Sequence, residues 1–153
     1  MAVKVGDIAP DFTLTSQTGE SVSLKDFQGK KCVVLYFYPK DDTPGCTAES
    51  CAFRDSYQVF KDAGAEVIGI SSDTAQSHQQ FATKYNLPFI LLSDTENKVR
   101  QLYGVPATMW VLPGRVTYII DQDGSVRHLF DSMWEFQRHA EEALTTLKAL
   151  PIS

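Results

Sequence analysis

The stretch Cys32-Val33-Val34-Leu35-Tyr36-Phe37-Tyr38, running into Pro39-Lys40-Asp41-Asp42-Thr43-Pro44-Gly45-Cys46-Thr47-Ala48-Glu49, decides how this chain is read. An unbroken apolar run rich in β-branched and aromatic residues, set between Gly29-Lys30-Lys31 and Pro39, is what a strand covered on both faces requires. Thr43 followed by Pro44 then marks a helix start, because Thr can cap and a proline in the first helical position forfeits no helical hydrogen bond. The junction between a buried strand and a helix is the usual place for a site in an α/β protein.

On that register Cys46 is the third helical residue. Its sulfur then lies near backbone N–H groups without an intrahelical acceptor and near the positive end of the helix dipole, and both favour thiolate over thiol. Cys51 follows five residues on, a rotation of about 500° and a rise of about 7.5 Å in a helix. The two Cα atoms are then about 8.6 Å apart with side chains about 140° apart, beyond the reach of a disulfide. Either Cys51 is an incidental thiol, or the first turns of the helix unwind so that it can reach an oxidised Cys46.

Outward from this segment, Glu66-Val67-Ile68-Gly69-Ile70-Ser71 and Phe89-Ile90-Leu91-Leu92 predict two more buried strands. Val116 to Ile120, the turn Asp121-Gln122-Asp123-Gly124, and Ser125 to Phe130 predict a hairpin. Phe53, Tyr57 and Phe60 recur at helical spacing before the second strand, and Ala75 to Tyr85 predict a helix before the third, giving βαβ units and parallel pairing. Phe136, Ala140, Ala143, Leu144 and Leu147 predict a closing amphipathic helix with Glu141, Glu142 and Lys148 outside. No repeat or linker interrupts this order, so residues 1–153 read as a single α/β domain with a central mixed sheet flanked by helices.

The net charge of -5, and a longest basic run of Lys30-Lys31, argue against a nucleic-acid surface. The apolar stretches fall far short of the roughly 20 residues of a membrane helix, and the first residues resemble neither a signal nor a transit peptide. Three cysteines do not make a disulfide framework. Cys32 opens the central strand and reads as a buried structural thiol. His78, His128 and His139 lack neighbours at metal-ligand spacing and are assigned nothing. Met109 and Trp110 read as core packing.

Pro39-x-x-x-Thr43-x-x-Cys46 resembles the active-site pattern of the peroxiredoxins, with Cys51 at the resolving position of the thioredoxin-dependent Q, or bacterioferritin comigratory protein, subfamily. The likeness continues through Val33 to Tyr38, Ala52-Phe53-Arg54-Asp55, Gly64 to Ser71, Leu92-Ser93-Asp94 and Leu112-Pro113-Gly114-Arg115, from about Val5 to Leu147. The resemblance implies a thioredoxin-like fold with an N-terminal extension and reduction of hydrogen peroxide and organic hydroperoxides. It implies that Cys46 attacks the O–O bond and becomes sulfenic acid. Thr43 would hydrogen-bond thiolate and peroxide, Pro39 would wall the pocket, and Arg115 would stabilise developing charge, oriented by Glu49. Cys51 would close an intramolecular disulfide that a thioredoxin reduces, with no metal or organic cofactor.

Arg54, Arg100 and Arg127 compete for the cationic role, but only Arg115 stands at the family position. A Cys-x-x-Cys reductase is disfavoured by the spacing; a non-enzymatic redox sensor uses the same cysteine pair and stays open. The subfamily includes monomers and dimers, with a monomer favoured. A bacterial or cyanobacterial cytoplasm is expected, or a plastid if the chain is a processed mature form.

Overall fold

The apolar run that starts at Cys32 forms a buried central strand over its first six residues, because both of its faces are covered. The computed structural model describes residues 2–105, 107–108, 112–113 and 115–150. Its strands are β1 (Thr13–Ser16), β2 (Ser21–Ser23), β3 (Cys32–Phe37), β4 (Ala65–Ser71), β5 (Ile90–Ser93), β6 (Ala107–Thr108), β7 (Leu112–Pro113), β8 (Val116–Ile120) and β9 (Val126–Asp131). Its helices are α1 (Pro44–Asp55), α2 (Tyr57–Asp62), α3 (Ala75–Tyr85), α4 (Lys98–Tyr103) and α5 (Phe136–Ala149).

Seven strands form one mixed sheet in the order β2-β1-β5-β4-β3-β8-β9, and β6 pairs with β7 separately. The pairs β3–β4 and β4–β5 are parallel, as the intervening helices demand, whereas β8 runs antiparallel to both β3 and β9. This is the thioredoxin-like arrangement. Side chains alternate across it: Val33, Leu35 and Phe37 join one core with Phe12, Val99 and Tyr103, while Cys32, Val34, Tyr36 and Tyr38 join the other with Phe53, Phe60, Phe81 and Leu147. Gly69 stands opposite Tyr36 in the β3–β4 register, and a Cβ there would lie 2.7 Å from the Tyr36 ring, so the glycine admits the tyrosine.

The predicted strands and the hairpin form within a residue or so of their expected ends. Three features were not foreseen. The run Phe53, Tyr57, Phe60 is split at Ser56, whose amide bonds back to the Phe53 carbonyl in a tightened turn, so α1 and α2 are separate helices. The N-terminal extension adds β1 and β2 at the sheet edge, with β1 antiparallel to β5; at four and three residues they are too short for their alternation to stand out. Helix α4 has too few residues for a periodic stripe and is fixed instead by Asp94, whose carboxylate accepts from the amides of Val99 and Arg100.

Candidate active site

The chain leaves β3 at Phe37 and enters α1 at Pro44, and the intervening loop is tied down on all sides. The Asp41 amide donates to Asp73 Oδ2 at 2.7 Å. Asp42 takes a left-handed conformation, φ 57°, and accepts from Lys84 Nζ at 2.8 Å and Tyr85 Oη at 2.7 Å. Asp41 itself is buried: Oδ1 accepts from Tyr38 Oη at 2.6 Å, and Oδ2 meets Ser77 Oγ at 2.8 Å and His78 Nδ1 at 2.7 Å.

His78 Nε2 lies 3.0 Å from the Leu92 carbonyl, which can only accept, so this nitrogen carries a hydrogen and Nδ1 engages Asp41. Asp41, Asp73 and His78 stand close enough to surround a cation, a grouping invisible in the linear spacing. Their facing atoms are already committed to one another and to Tyr38, Ser71 and Ser77, which makes the cluster a buried strut under the loop. Replacing His78 by Leu removes one of three side-chain partners of the buried Asp41 and leaves Tyr38 and Ser77. Destabilisation of about 1–3 kcal/mol is expected, read from the urea midpoint.

The loop delivers Cys46 to the third position of α1, as the Thr43-Pro44 signal predicts. Thr43 has the extended backbone of a cap (φ -95°, ψ 155°), and its carbonyl accepts from the Thr47 amide at 2.8 Å. The side-chain part of the expectation is corrected: Thr43 Oγ1 donates to the Lys40 carbonyl at 2.9 Å and caps no amide. Pro39 is half-buried in the same loop. Cys46 is buried, 1% exposed, in the core cluster with Tyr36 and Tyr38.

Arg115 reaches Cys46 from the residue ahead of β8. It is 3% exposed; Nη1 donates to Glu49 Oε1 at 2.7 Å, Nε donates to the Met133 carbonyl at 3.2 Å, and the guanidinium lies 4.9 Å from the centre of the Phe136 ring. Burial opposes its charge, but Glu49 and Cys46 more than offset this and hold the guanidinium above its usual value. Gly45 is the point of closest approach, since a Cβ there would fall 2.7 Å from Phe136 and 3.1 Å from Arg115 Nη2.

Glu49 lies three residues after Cys46 and is completely buried. Burial raises its carboxyl to about 7 against the opposing pull of Arg115. The site thus gathers Cys46, Arg115 and Glu49, with Thr43 and Pro39 in the adjoining loop.

Cys51 is not part of that cluster. Both cysteines lie in one continuous helix and all three are free thiols, with Cys51 half-buried on a different face of α1. Burial raises the Cys51 thiol, with Arg54 pulling against it. Cys32 is buried at the start of β3, where burial and then Asp121 raise its thiol, in keeping with a structural residue.

Of the competing arginines, Arg54 bonds the Tyr85 carbonyl and Arg127 bonds Asp121 on the surface. Arg100 is buried as well: it is 7% exposed, donates to the Tyr38 carbonyl at 3.0 Å, and feels the charge of Cys46. Burial lowers it to about 10. His78 and His139 are fully buried hydrogen-bonding residues. The helical stripe Phe136, His139, Ala140, Ala143 shows how His139 was missed: it falls on the inward face, but its polarity hid it among apolar positions. Met109, Trp110 and Gly114 lie outside the described residues.

A buried thiol at a helix start beside a buried arginine is suited to nucleophilic attack with stabilisation of developing negative charge. A profile of the AhpC/TSA family matches residues 5–129. The chain is 54% identical over 149 residues to the chloroplastic peroxiredoxin Q of Oryza sativa subsp. japonica, covering 97% of this chain and 68% of that protein. It is 55% identical over 148 residues to the Arabidopsis thaliana protein of the same name, covering 96% and 68%. Among solved structures, peroxidoxin BcpB from Mycobacterium tuberculosis aligns with TM-score 0.90 at 37% identity, over 98% of this chain and 99% of that one. Xanthomonas campestris peroxiredoxin Q aligns with TM-score 0.85 at 31% identity, over 96% of each. Sequence, fold and relatives therefore converge on one assignment: the chain belongs to the AhpC/TSA family, as a thiol peroxidase of the peroxiredoxin Q type.

Proposed function

We propose that Cys46 is the peroxidatic nucleophile of this peroxidase, that Cys51 resolves it within the same chain, and that a thioredoxin restores both thiols. The observation that carries the reading is the contact network of Arg115 with Cys46 and Glu49 at the start of α1. The Cys46 thiolate takes the terminal hydroxyl of a hydroperoxide, the O–O bond breaks, and the departing oxygen leaves with a proton as water or alcohol. Arg115 stabilises the charge that passes from sulfur to oxygen, and Glu49 fixes the guanidinium from behind. With its hydrogen given to Lys40, the Thr43 oxygen serves as an acceptor for the hydroperoxide O–H. Pro39 walls the pocket against water.

The Cys46 sulfenic acid and the Cys51 thiol then condense, releasing water and forming the disulfide. An intact α1 forbids this, so residues 47–53 unwind first, exposing the disulfide to a dithiol reductant. Because the bond is intramolecular, a monomer suffices. Among the described residues no helix is long and apolar enough to cross a membrane. The chloroplastic relatives support a plastid as the compartment.

The Cys51→Ser protein is expected to consume one equivalent of hydrogen peroxide at close to the wild-type rate. It should then stop as a sulfenic acid trappable by dimedone, with turnover on thioredoxin and its reductase reduced by about 10²-fold or more. Unchanged thioredoxin-coupled turnover would remove Cys51 from the cycle. Amide exchange in residues 47–53 should accelerate in the oxidised wild type, and equal protection in both redox states would rule out the unwinding step.

A further inference from the structure

Behind the Arg115–Glu49 pair the structure holds a polar contact that the peroxidase chemistry does not use. Glu49 Oε1 is engaged by Arg115, but Glu49 Oε2 is fully buried without a hydrogen-bond partner. It lies 3.3 Å from His139 Nδ1, and both side chains are wholly inaccessible to solvent. His139 Nε2 stands 2.8 Å from the Ser132 carbonyl, an acceptor only, so Nε2 carries a hydrogen.

His139 Nδ1 also faces Thr117 Oγ1 at 2.7 Å. With a neutral imidazole and an ionised Glu49, the Thr117 hydroxyl hydrogen satisfies the Nδ1 lone pair, and no donor reaches Glu49 Oε2. That oxygen is left facing an acceptor nitrogen in a dry core, an arrangement whose desolvation cost is unrelieved. One additional proton resolves it.

We propose that Glu49 and His139 share one proton between Oε2 and Nδ1, making His139 a positioning residue that keeps Glu49 from neutralising Arg115, so that the guanidinium charge stays directed at Cys46. The inference deepens the peroxidase reading and rests on it. While the proton is present, Arg115 meets an uncharged acid at Glu49 and a charged sulfur at Cys46. Once it is lost, an anionic Glu49 competes for the same guanidinium and repels the thiolate one helical turn away.

The raised Glu49 carboxyl and the His139 imidazole, lowered to about 4 chiefly by burial, place the shared proton on the Glu49 side. The titratable and charged groups facing the pair are Cys46 on α1, Tyr36 on β3, Arg115 ahead of β8 and Glu135 just before α5. Burial holds the Tyr36 hydroxyl far above its ordinary value, so it does not exchange a proton with the pair.

The direct test is made on reduced wild-type protein without peroxide. Infrared difference spectra over about pH 5 to pH 9 should show a carboxylic-acid stretch that disappears near pH 7 and is missing in Glu49→Gln, and the ¹⁵N shift of His139 Nδ1 should move with the same midpoint. A Glu49 carboxylate ionised throughout this range, with a static Nδ1 shift, overturns the proposal whether or not the protein reduces peroxide.

The stability signature has a defined sign. A carboxyl raised in the folded state contributes stability that is complete below about pH 4.5 and is lost as pH rises through about 7. The urea midpoint of wild type should therefore fall relative to Glu49→Gln across that window, and parallel midpoints would contradict the shared proton. In stopped-flow oxidation by hydrogen peroxide, the rate per thiolate should drop roughly tenfold from about pH 6 to about pH 8.5 in wild type and stay flat in Glu49→Gln, whose amide can still accept from Arg115 and donate to Nδ1. Identical profiles would refute the link to Cys46. A protein inert to peroxide at every pH, with the infrared and nitrogen titrations intact, would instead refute the peroxidase reading alone.

Discussion

Cys46→Ser is expected to lower hydroperoxide consumption by about 10³-fold or more while leaving the fold intact. A serine hydroxyl is isosteric with the thiol to within a small volume change, but it is not ionised at neutral pH and is a far weaker nucleophile toward peroxide oxygen. Cys46 is buried and the α1 register is set by Thr43 and Pro44, so the substitution disturbs neither the helix start nor the core beneath it. The measurement is single-turnover oxidation followed by tryptophan fluorescence, with the urea midpoint as control. A retained rate would remove Cys46 from the chemistry and leave Cys51 and Cys32, both with raised thiols, as poor substitutes.

Arg115→Met should reduce the rate of Cys46 oxidation by about 10²–10³-fold, the scale on which removing a preorganised charge-stabilising donor acts. Methionine fills part of the space beside Phe136 and removes the charge without opening a large void. The structural consequence depends on pH. Arg115 is what pulls the Glu49 carboxyl down against burial, so without it the carboxyl rises further and Glu49 is an uncharged acid at neutral pH. The stability loss is then about 1–3 kcal/mol, because the buried Glu49 carboxyl loses the hydrogen-bond partner that Arg115 supplied.

That variant's pH dependence follows from the same shift. Its raised carboxyl contributes stability that is lost as pH rises through the new folded value, so Arg115→Met should unfold more readily above pH 7 than at pH 6. Urea titrations at several pH values read this directly. A variant with wild-type oxidation kinetics would transfer the cationic role to Arg100, the other buried guanidinium that feels Cys46.

Much of the scaffold was legible because its signals are local. The run from Cys32 to Tyr38 and the hairpin Val116 to Phe130 state their own burial and turn chemistry, and they appear in the sheet where expected. Helix α4 and the β1–β2 edge were not legible. The first is held by Asp94 from outside its own sequence, and the second by pairing with β5, contacts that no short window contains. The break at Ser56 escaped for a related reason: Phe53 and Phe60 keep their helical spacing across it and both remain in the core.

The thiol site divides in the same way. Sequence alone determined that Cys46 stands at the third position of a helix that follows a buried strand, because Thr43 and Pro44 act within one turn of it. It also determined that Cys51 cannot touch Cys46 in the folded helix, since helical pitch fixes that separation. Only the tertiary structure decided what surrounds the sulfur. Arg115 and Glu49 are 66 residues apart and meet because β8 runs antiparallel beside β3, which aims the residue before β8 at the start of α1. Docking of α5 against α1 and β8 then presses His139 onto the far side of Glu49. Those encounters depend on sheet order and helix packing, which are set by the burial of whole faces and not by any local pattern of residues.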